Sequence, residues 1–146
     1  MDEPEELSYD KCRELLSGGF VGRAALCTTE GPRIMPVNYA VVDDAIIFRT
    51  MPDSVLGTHA LSTVMAFEVD YVDYPAQRGW SVVATGPAQS VEDPDELAHV
   101  QAVWNPRPWA GGARNVYIRL AWDELTGRRL GRGWTRENEM PMRRTL

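Results

Sequence analysis

The sequence is poor in lysine, cysteine and histidine. Lys11 is the only lysine among 146 residues, and there are two cysteines and two histidines. Because Cys12 and Cys27 form no closely spaced pair and no histidine cluster accompanies them, we expect neither a zinc site nor a disulfide, and a reduced, cytoplasmic protein. An anionic ligand must then be held by arginine, histidine, hydroxyls or backbone N–H groups.

Long apolar runs and an overall excess of positive charge are also lacking. No stretch reaches the roughly 18 apolar residues of a membrane span, and the amino terminus is acidic where a secretory signal would be basic. The formal net charge is −6, with 21 acidic and 15 basic residues, so we expect no nucleic-acid partner and no membrane partner. No catalytic triad, nucleotide-binding glycine loop or metal-ligand spacing is found, so no side chain is assigned a catalytic or metal-binding role.

The length of the chain suits one domain with its own core. Ser8 predicts the start of a helix that carries Cys12, Leu15 and Leu16 on one face, and Gly18-Gly19 ends it. The pattern after this helix is mainly β.

Runs of β-branched and apolar residues, bounded by Gly, Pro and Asp, predict about six strands. They lie at Val21–Thr28, Arg33–Val42, Ala45–Thr50, Val64–Val72, Trp80–Val91 and Val116–Leu125. Gly86-Pro87 predicts a bulge or a bend at a barrel corner, and Asp93-Pro94 begins a helix that runs to about Val103. Antiparallel strands with short connections indicate a mainly β (α+β) fold, a small closed or nearly closed barrel with short flanking helices.

The most informative stretch is Arg33–Thr50, which predicts one β-hairpin with its turn at Asp43-Asp44. Its second strand ends in Arg49 and Thr50, and Ser54 follows four residues later. A guanidinium fork suits a phosphate, the hydroxyls add donors, and a helix beginning at Ser54 would point its first N–H groups the same way. The sequence therefore predicts a phosphate cradle, the alternative being an ordinary strand end.

Seven short motifs follow one another along the chain. They are VGRAAL, PVNYAV, IIFRT, MAFEVD, GWSVVATGPA, PWAGGARNVYIRL and LTGRRL. Their order and spacing resemble the pyridoxamine 5′-phosphate oxidase-like family of flavin-binding split-barrel proteins, over about Leu7–Leu130. The resemblance implies a six-stranded antiparallel split β-barrel in residues 1–130 and a homodimer with flavin mononucleotide (FMN) at the subunit interface. The Arg-rich tail at 131–146 is read from the residues themselves, as a solvated end and not as a binding arm.

The same resemblance assigns the cofactor-binding residues. Met35, Pro36, Val37 and Asn38 match the strand along the isoalloxazine ring, Arg49, Thr50 and Ser54 match the phosphate pocket, and Trp80 and Ser81 match the ring's pyrimidine side. It implies an FMN-dependent oxidoreductase acting on a small molecule, in which the flavin accepts a hydride and passes electrons on. Arg128 and Arg129 either face a substrate anion or form a salt-bridged strand end, and Trp109 is expected to reach across the interface.

One position departs from the family pattern. Relatives usually carry a lysine just after the hydroxyl residue, where this chain has Val55. The lost charge-assisted contact is worth about 1.5–3 kcal/mol, so weaker FMN binding is expected unless His59 or another arginine substitutes. The alternatives are therefore a reductase dependent on the deazaflavin F420, a haem-binding protein, and a binding or storage module without a redox cofactor.

Overall fold

A computed structural model describes residues 3–104, 111–112 and 114–135. Its elements, in chain order, are β1 (Glu5–Glu6), α1 (Tyr9–Gly18), β2 (Val21–Thr28), β3 (Gly31–Val42), β4 (Ala45–Thr50), α2 (Val55–His59), β5 (Val64–Asp73), β6 (Arg78–Ser90), α3 (Pro94–Trp104), β7 (Val116–Ala121) and β8 (Glu124–Leu130). A 3₁₀ turn, Ala60–Ser62, joins α2 to β5. The expectations for Trp109 and for residues 136–146 lie outside the described residues.

Six of the strands close into a barrel. β3 pairs with β2 and β4, β7 pairs with β4 and β6, and β5 pairs with β6 and β2, all antiparallel. β8 and then β1 extend the sheet outward from β6. The prediction of a six-stranded antiparallel split barrel is therefore confirmed.

The barrel splits into two sheets along β3 and β6. β3 pairs with β2 as far as Asn38 and with β4 from Tyr39 onward. β6 likewise pairs with β5 as far as Pro87 and with β7 from Ala88 onward. The exchange of partners falls at the predicted corner, Gly86-Pro87. Gly86 is required there because a Cβ atom would collide with the carbonyl oxygen of Ala121.

The prediction of one strand over Val116–Leu125 is wrong, because the chain turns at Trp122-Asp123. β7 pairs with β4, whereas β8 pairs with β6. The backbone N–H of Asp123 donates to the carbonyl oxygen of Thr85 over 2.8 Å and fixes the turn. The apolar alternation of the sequence runs across this break, so only the pairing partners reveal it.

The hairpin turn at Asp43-Asp44 is confirmed, and it sets the register that places the end of β4. Both residues are left-handed, with φ of 51° and 57°, which matches the twist of a tight hairpin. A carboxylate oxygen of Asp43 lies 2.7 Å from Nε2 of His99 on α3, and Arg13 on α1 donates to Asp44. Two helices therefore hold the turn.

The core fills the barrel and is closed at one end by α1. As predicted, Ser8 caps this helix, and Cys12, Leu15 and Leu16 are its buried residues. The largest fully buried side chains inside the barrel are Tyr39, Phe48, Phe67, Ile46, Met65, Ile118 and Leu120. A second, smaller cluster lies outside β4 and β7, beneath α3, and comprises Val42, Ile47, Val91, Val100 and Tyr117.

Candidate functional site

Arg49 lies near the end of β4, with its side chain on the outer face of the barrel. Its Nε donates to the carbonyl oxygen of Arg114 over 3.0 Å. Its guanidinium carbon lies 5.0 Å from the centre of the Tyr117 ring, on the neighbouring strand β7. The carbonyl and the aromatic face together set the direction of the guanidinium, which is half-buried.

Thr50 and Ser54 are joined by a hydrogen bond of 2.6 Å between their hydroxyl oxygens. The Ser54 hydroxyl also donates to the carbonyl oxygen of Met51 over 2.7 Å and accepts the N–H of Gly57 over 3.0 Å. Because a hydroxyl has one proton to give, Thr50 must be the donor to Ser54. Ser54 thus caps α2 and also accepts from Thr50, which is 2% exposed. We call Arg49, Thr50 and Ser54 the Arg49 corner.

The chain returns to this corner after α3. Gly112 has a φ of +97°, and a Cβ atom built on it would lie 3.2 Å from Sδ of Met51. Two residues later, the carbonyl of Arg114 receives the Arg49 side chain. Gly112 and Arg114 therefore lie close to the end of β4, and the positive φ favours glycine at position 112.

The four β3 residues assigned to the ring point alternately to opposite faces. Met35 and Val37 are half-buried and pack against the core. Pro36 and Asn38 face outward, opposite Arg23 and Val21 of β2 respectively. Only the two outward residues can present side chains to a ligand on the outer face.

Asn38 and Arg49 flank the point where the two sheets separate. Asn38 is the last β3 residue paired with β2, and the β3–β4 pairing begins at the next pair, Tyr39 with Phe48. Arg49 follows Phe48 on the other side of the split. The structure therefore brings Asn38 of β3, one of the residues assigned to the flavin ring, next to the Arg49 corner.

Trp80 and Ser81 lie on β6 and point in opposite directions. Trp80 belongs to the main core and is 7% exposed. Ser81 faces outward, between Asp70 of β5 and Arg128 of β8. Since β2 and β5 separate β3 from β6, three interstrand spacings, about 14 Å, lie between the strands of Asn38 and Ser81.

A groove of about 570 Å³ opens where Ser81 reaches the outer face. It is lined by the β5–β6 hairpin, including Asp70 and Tyr74, and by Arg128. A volume of this size is typical of small-molecule sites. Arg129 is ion-paired with Glu5 over 2.9 Å, whereas the side chain of Arg128 forms no hydrogen bond or ion pair among residues 3–104, 111–112 and 114–135. The two late arginines therefore differ in their side-chain contacts.

Arg23, Glu68 and Asp70 form a charged cluster on the outer face, which we call the Arg23 cluster. Nη1 of Arg23 donates to Oε1 of Glu68 over 2.9 Å and to Oδ1 of Asp70 over 3.0 Å. Burial raises the pKa of Glu68, a hydrogen bond with Asp70 and the charge of Asp70 raise it further, and Arg23 opposes them. Sequence reasoning missed this cluster, although the alternation of β5 places Glu68 and Asp70 on one face.

The position that departs from the family pattern begins α2. Val55 is 39% exposed, so its side chain lies at the surface beside Ser54. His59 is the last residue of α2 and is half-buried.

No three His, Cys, Asp or Glu side chains converge as a metal site in the described part of the chain. Within that same part, no helix has the length and apolar character needed to cross a bilayer.

Comparisons with known proteins find matches that extend over most of the chain. A family described as pyridoxamine 5′-phosphate oxidase matches residues 8–129. An uncharacterised protein of Mycobacterium tuberculosis is 33% identical over 133 residues, which cover 88% of this chain and 86% of that protein.

Two solved structures share the fold over nearly their full length. The FAD-binding protein of Mycobacterium smegmatis is 28% identical with a TM-score of 0.73, covering 86% of this chain and 98% of that one. A candidate pyridoxamine 5′-phosphate oxidase of Corynebacterium glutamicum is 29% identical with a TM-score of 0.75, covering 88% and 99%.

Proposed function

The chain belongs to the pyridoxamine 5′-phosphate oxidase family, and we propose that it is a homodimeric flavoprotein that binds FMN and uses it to oxidise or reduce a small molecule. The Arg49 corner is the observation that carries this proposal. There, an arginine whose guanidinium lies against the Tyr117 ring is followed along the chain by two residues with linked hydroxyls, near the point where the barrel splits. A planar guanidinium fork with neighbouring hydroxyl groups is a typical environment for a phosphate.

The residues at the corner fit the phosphate end of a flavin. Arg49 would hold the phosphate by charge-assisted hydrogen bonds, and the Ser54 hydroxyl could donate to it instead of to the Met51 carbonyl. Thr50 would position Ser54, because its own hydroxyl is buried and already donates to Ser54. Val55 adds apolar surface but no charge, so a single arginine carries most of the electrostatic attraction.

The outer face between β3 and β6 fits the ring. Pro36 supplies apolar surface, and Asn38 and Ser81 supply polar side chains at its two sides. When bound, the flavin supplies the redox chemistry by accepting a hydride and passing electrons on. The residues of the chain hold the ring and keep water from one of its faces.

The homodimer is supported by an apolar area beside these residues. Ile34 is 71% exposed and Val64 is 63% exposed, on the outer faces of β3 and β5. Ala25 of β2 and Ala66 of β5 lie in the same row as Ile34. Apolar side chains grouped on one sheet face favour burial against a protein partner, and a second copy of the chain would bury this face together with the ring site.

FAD is the second candidate cofactor. It contains the same ring and ribityl phosphate as FMN, and the FAD-binding protein of Mycobacterium smegmatis has this fold. The Arg49 corner would hold the ribityl phosphate of either molecule. FMN is preferred here because the described corner supplies the donors for one phosphate.

The proposal is tested with the purified full-length chain. The absorption spectrum is recorded as isolated, and the chain is then titrated separately with FMN, FAD, F420 and haemin. One FMN per chain and a dimeric mass by light scattering are the expected results. A Soret band, uptake of F420 alone, or a colourless protein that binds none of the four would overturn it, and a monomeric mass with FMN bound would overturn the homodimer.

A further inference from the structure

We propose that Glu68, which shares Arg23 with Asp70, takes up one proton when a flat ligand covers the outer face between β3 and β6, so that binding of the flavin ring is coupled to proton uptake. The inference rests on the proposed function, because the ring is the ligand that covers this face. It assigns a role to the Arg23 cluster, which the Arg49 corner does not use.

The cluster contains more negative than positive charge. Both carboxylates accept from the same nitrogen, Nη1 of Arg23, over 2.9 and 3.0 Å. Glu68 and Asp70 are two residues apart on β5, so their side chains emerge on the same face. One guanidinium therefore balances two neighbouring carboxylates, and a net charge of −1 remains when both are ionised.

The neighbouring strands bring no second cation into contact with the pair. On β6, the residues opposite Asp70 and Glu68 are Ser81 and Val83. On β2, Arg23 itself lies opposite Glu68, and beyond it β3 presents Pro36.

The next charged group is one strand further away. Arg128 on β8 lies beyond Ser81, and the neutral Thr126 lies beyond Val83. Among the described residues that face this pair, Arg23 alone forms an ion pair with it.

The position of the cluster connects it to the ring. β2 and β5 are the two strands that separate β3 from β6. A planar ring that contacts both Pro36 and Ser81 of one subunit must therefore lie across β2 and β5, over the cluster. Covering it removes water from two carboxylates that share one cation, and such a loss of solvation favours the neutral, protonated form of one of them.

Glu68 is the group that takes the proton. Its pKa is already raised, first by burial and then by its hydrogen bond with Asp70 and the charge of Asp70. A ring above it increases the burial, which raises this pKa further. The proton comes from solvent, converts the Glu68 carboxylate into a carboxylic acid, and allows it to donate a hydrogen bond to Asp70.

The test measures riboflavin affinity against pH, since riboflavin has the ring but lacks the phosphate, which itself titrates near pH 6. Wild type, Glu68→Gln, Asp70→Asn and the control Glu30→Gln are titrated by flavin fluorescence from about pH 5 to about pH 8. Glu30 is a matched control because it also pairs with an arginine, Arg33, but at the turn between β2 and β3. Isothermal titration of wild type in two buffers with different ionisation enthalpies counts the protons directly.

We expect the wild-type and Glu30→Gln dissociation constants to rise with pH, by up to about tenfold per pH unit for one proton. Glu68→Gln should bind with little dependence on pH, and Asp70→Asn should show a weaker dependence than wild type. Equal pH profiles for wild type and Glu68→Gln, or riboflavin binding without proton uptake, would overturn this inference alone. Failure of both riboflavin and FMN to bind at any pH would overturn the proposed function and this inference with it.

Discussion

Arg49 on β4 and Tyr117 on β7 are direct cross-strand partners, and the guanidinium of Arg49 lies against the Tyr117 ring. Tyr117 is itself buried in the small cluster beneath α3. The ring is therefore a fixed support, and the direction of the guanidinium depends on a strand far along the chain. The β3–β4 hairpin determines the position of Arg49, and Tyr117 of β7 orients its guanidinium.

Arg49→Ala should weaken FMN binding about 30-fold, equivalent to about 2 kcal/mol, because the charge-assisted contact with the phosphate is lost. Riboflavin binding should stay at the wild-type value, since that ligand has no phosphate. Fluorescence titration with both ligands measures the difference. Arg33→Ala is the matched control, since Arg33 is an exposed arginine paired with Glu30. Equal losses for FMN and riboflavin would show that Arg49 does not hold the phosphate.

Tyr117→Leu should weaken FMN binding about three- to tenfold, because Arg49 loses the aromatic face that orients it. Tyr117→Phe keeps that face and should bind FMN within about twofold of wild type. The hydroxyl that this control removes accepts from Nε2 of Gln101 over 3.4 Å. A dissociation constant for Tyr117→Leu that matches Tyr117→Phe would argue against the support role.

Val55→Lys should tighten FMN binding about tenfold, since it adds a cation beside Ser54 at an exposed position. Val103→Lys is the control, because Val103 is 47% exposed on α3 and the same charge is added elsewhere. Titration at two salt concentrations separates a local contact from a general change in charge. Equal gains from both variants would rule out a specific contact at position 55.

Ser54→Ala should lower the free energy of unfolding by about 2 kcal/mol, as it removes the α2 cap and leaves the buried Thr50 hydroxyl without its acceptor. Ser8→Ala removes only a cap, that of α1, and should cost about 1 kcal/mol. Adding Thr50→Val to Ser54→Ala should recover part of the loss by removing the unsatisfied hydroxyl. Urea unfolding measures all three, and a double variant less stable than Ser54→Ala would contradict this account.

The raised pKa of Glu68 also predicts how stability depends on pH. The folded protein binds the Glu68 proton more tightly than the unfolded chain does, so this contribution is fully present below the ordinary pKa of glutamate. It is lost as the pH rises through the raised value. Glu68→Gln should lack this loss, so its unfolding free energy relative to wild type should increase with pH. Urea unfolding, measured from below the ordinary pKa of glutamate to above the raised value, tests the sign of this difference in stability. Glu30→Gln should show the same pH dependence as wild type.

Short-range patterns were sufficient for most elements. Ser8 with its apolar face predicts α1, and Asp43-Asp44 between two apolar runs predicts the hairpin, because capping and turn preferences act within a few residues. Short-range patterns did not predict the separation of β7 from β8. Trp122 continues the apolar alternation, and the turn there depends on the approach of Thr85 and Gly86 from another strand.

The candidate site likewise combines features that the sequence predicts with features that only the structure reveals. The order of Arg49, Thr50 and Ser54 along the chain was enough to predict a cradle, since a strand end and a helix start bring neighbours in sequence together. The outward direction of Asn38 and the inward direction of Trp80 required the register, because a shift of one residue reverses every side chain of a strand.

The amino-acid order accounts for the strands, the helix caps and the residues gathered at the end of β4, since each depends on local preferences. The contacts that give the surface its chemistry join distant segments. Arg23 meets Glu68 across 45 positions, and Arg49 reaches the carbonyl of Arg114 across 65. Barrel closure creates these contacts, because pairing between strands far apart in sequence is selected by the packing of the whole core and not by any one segment.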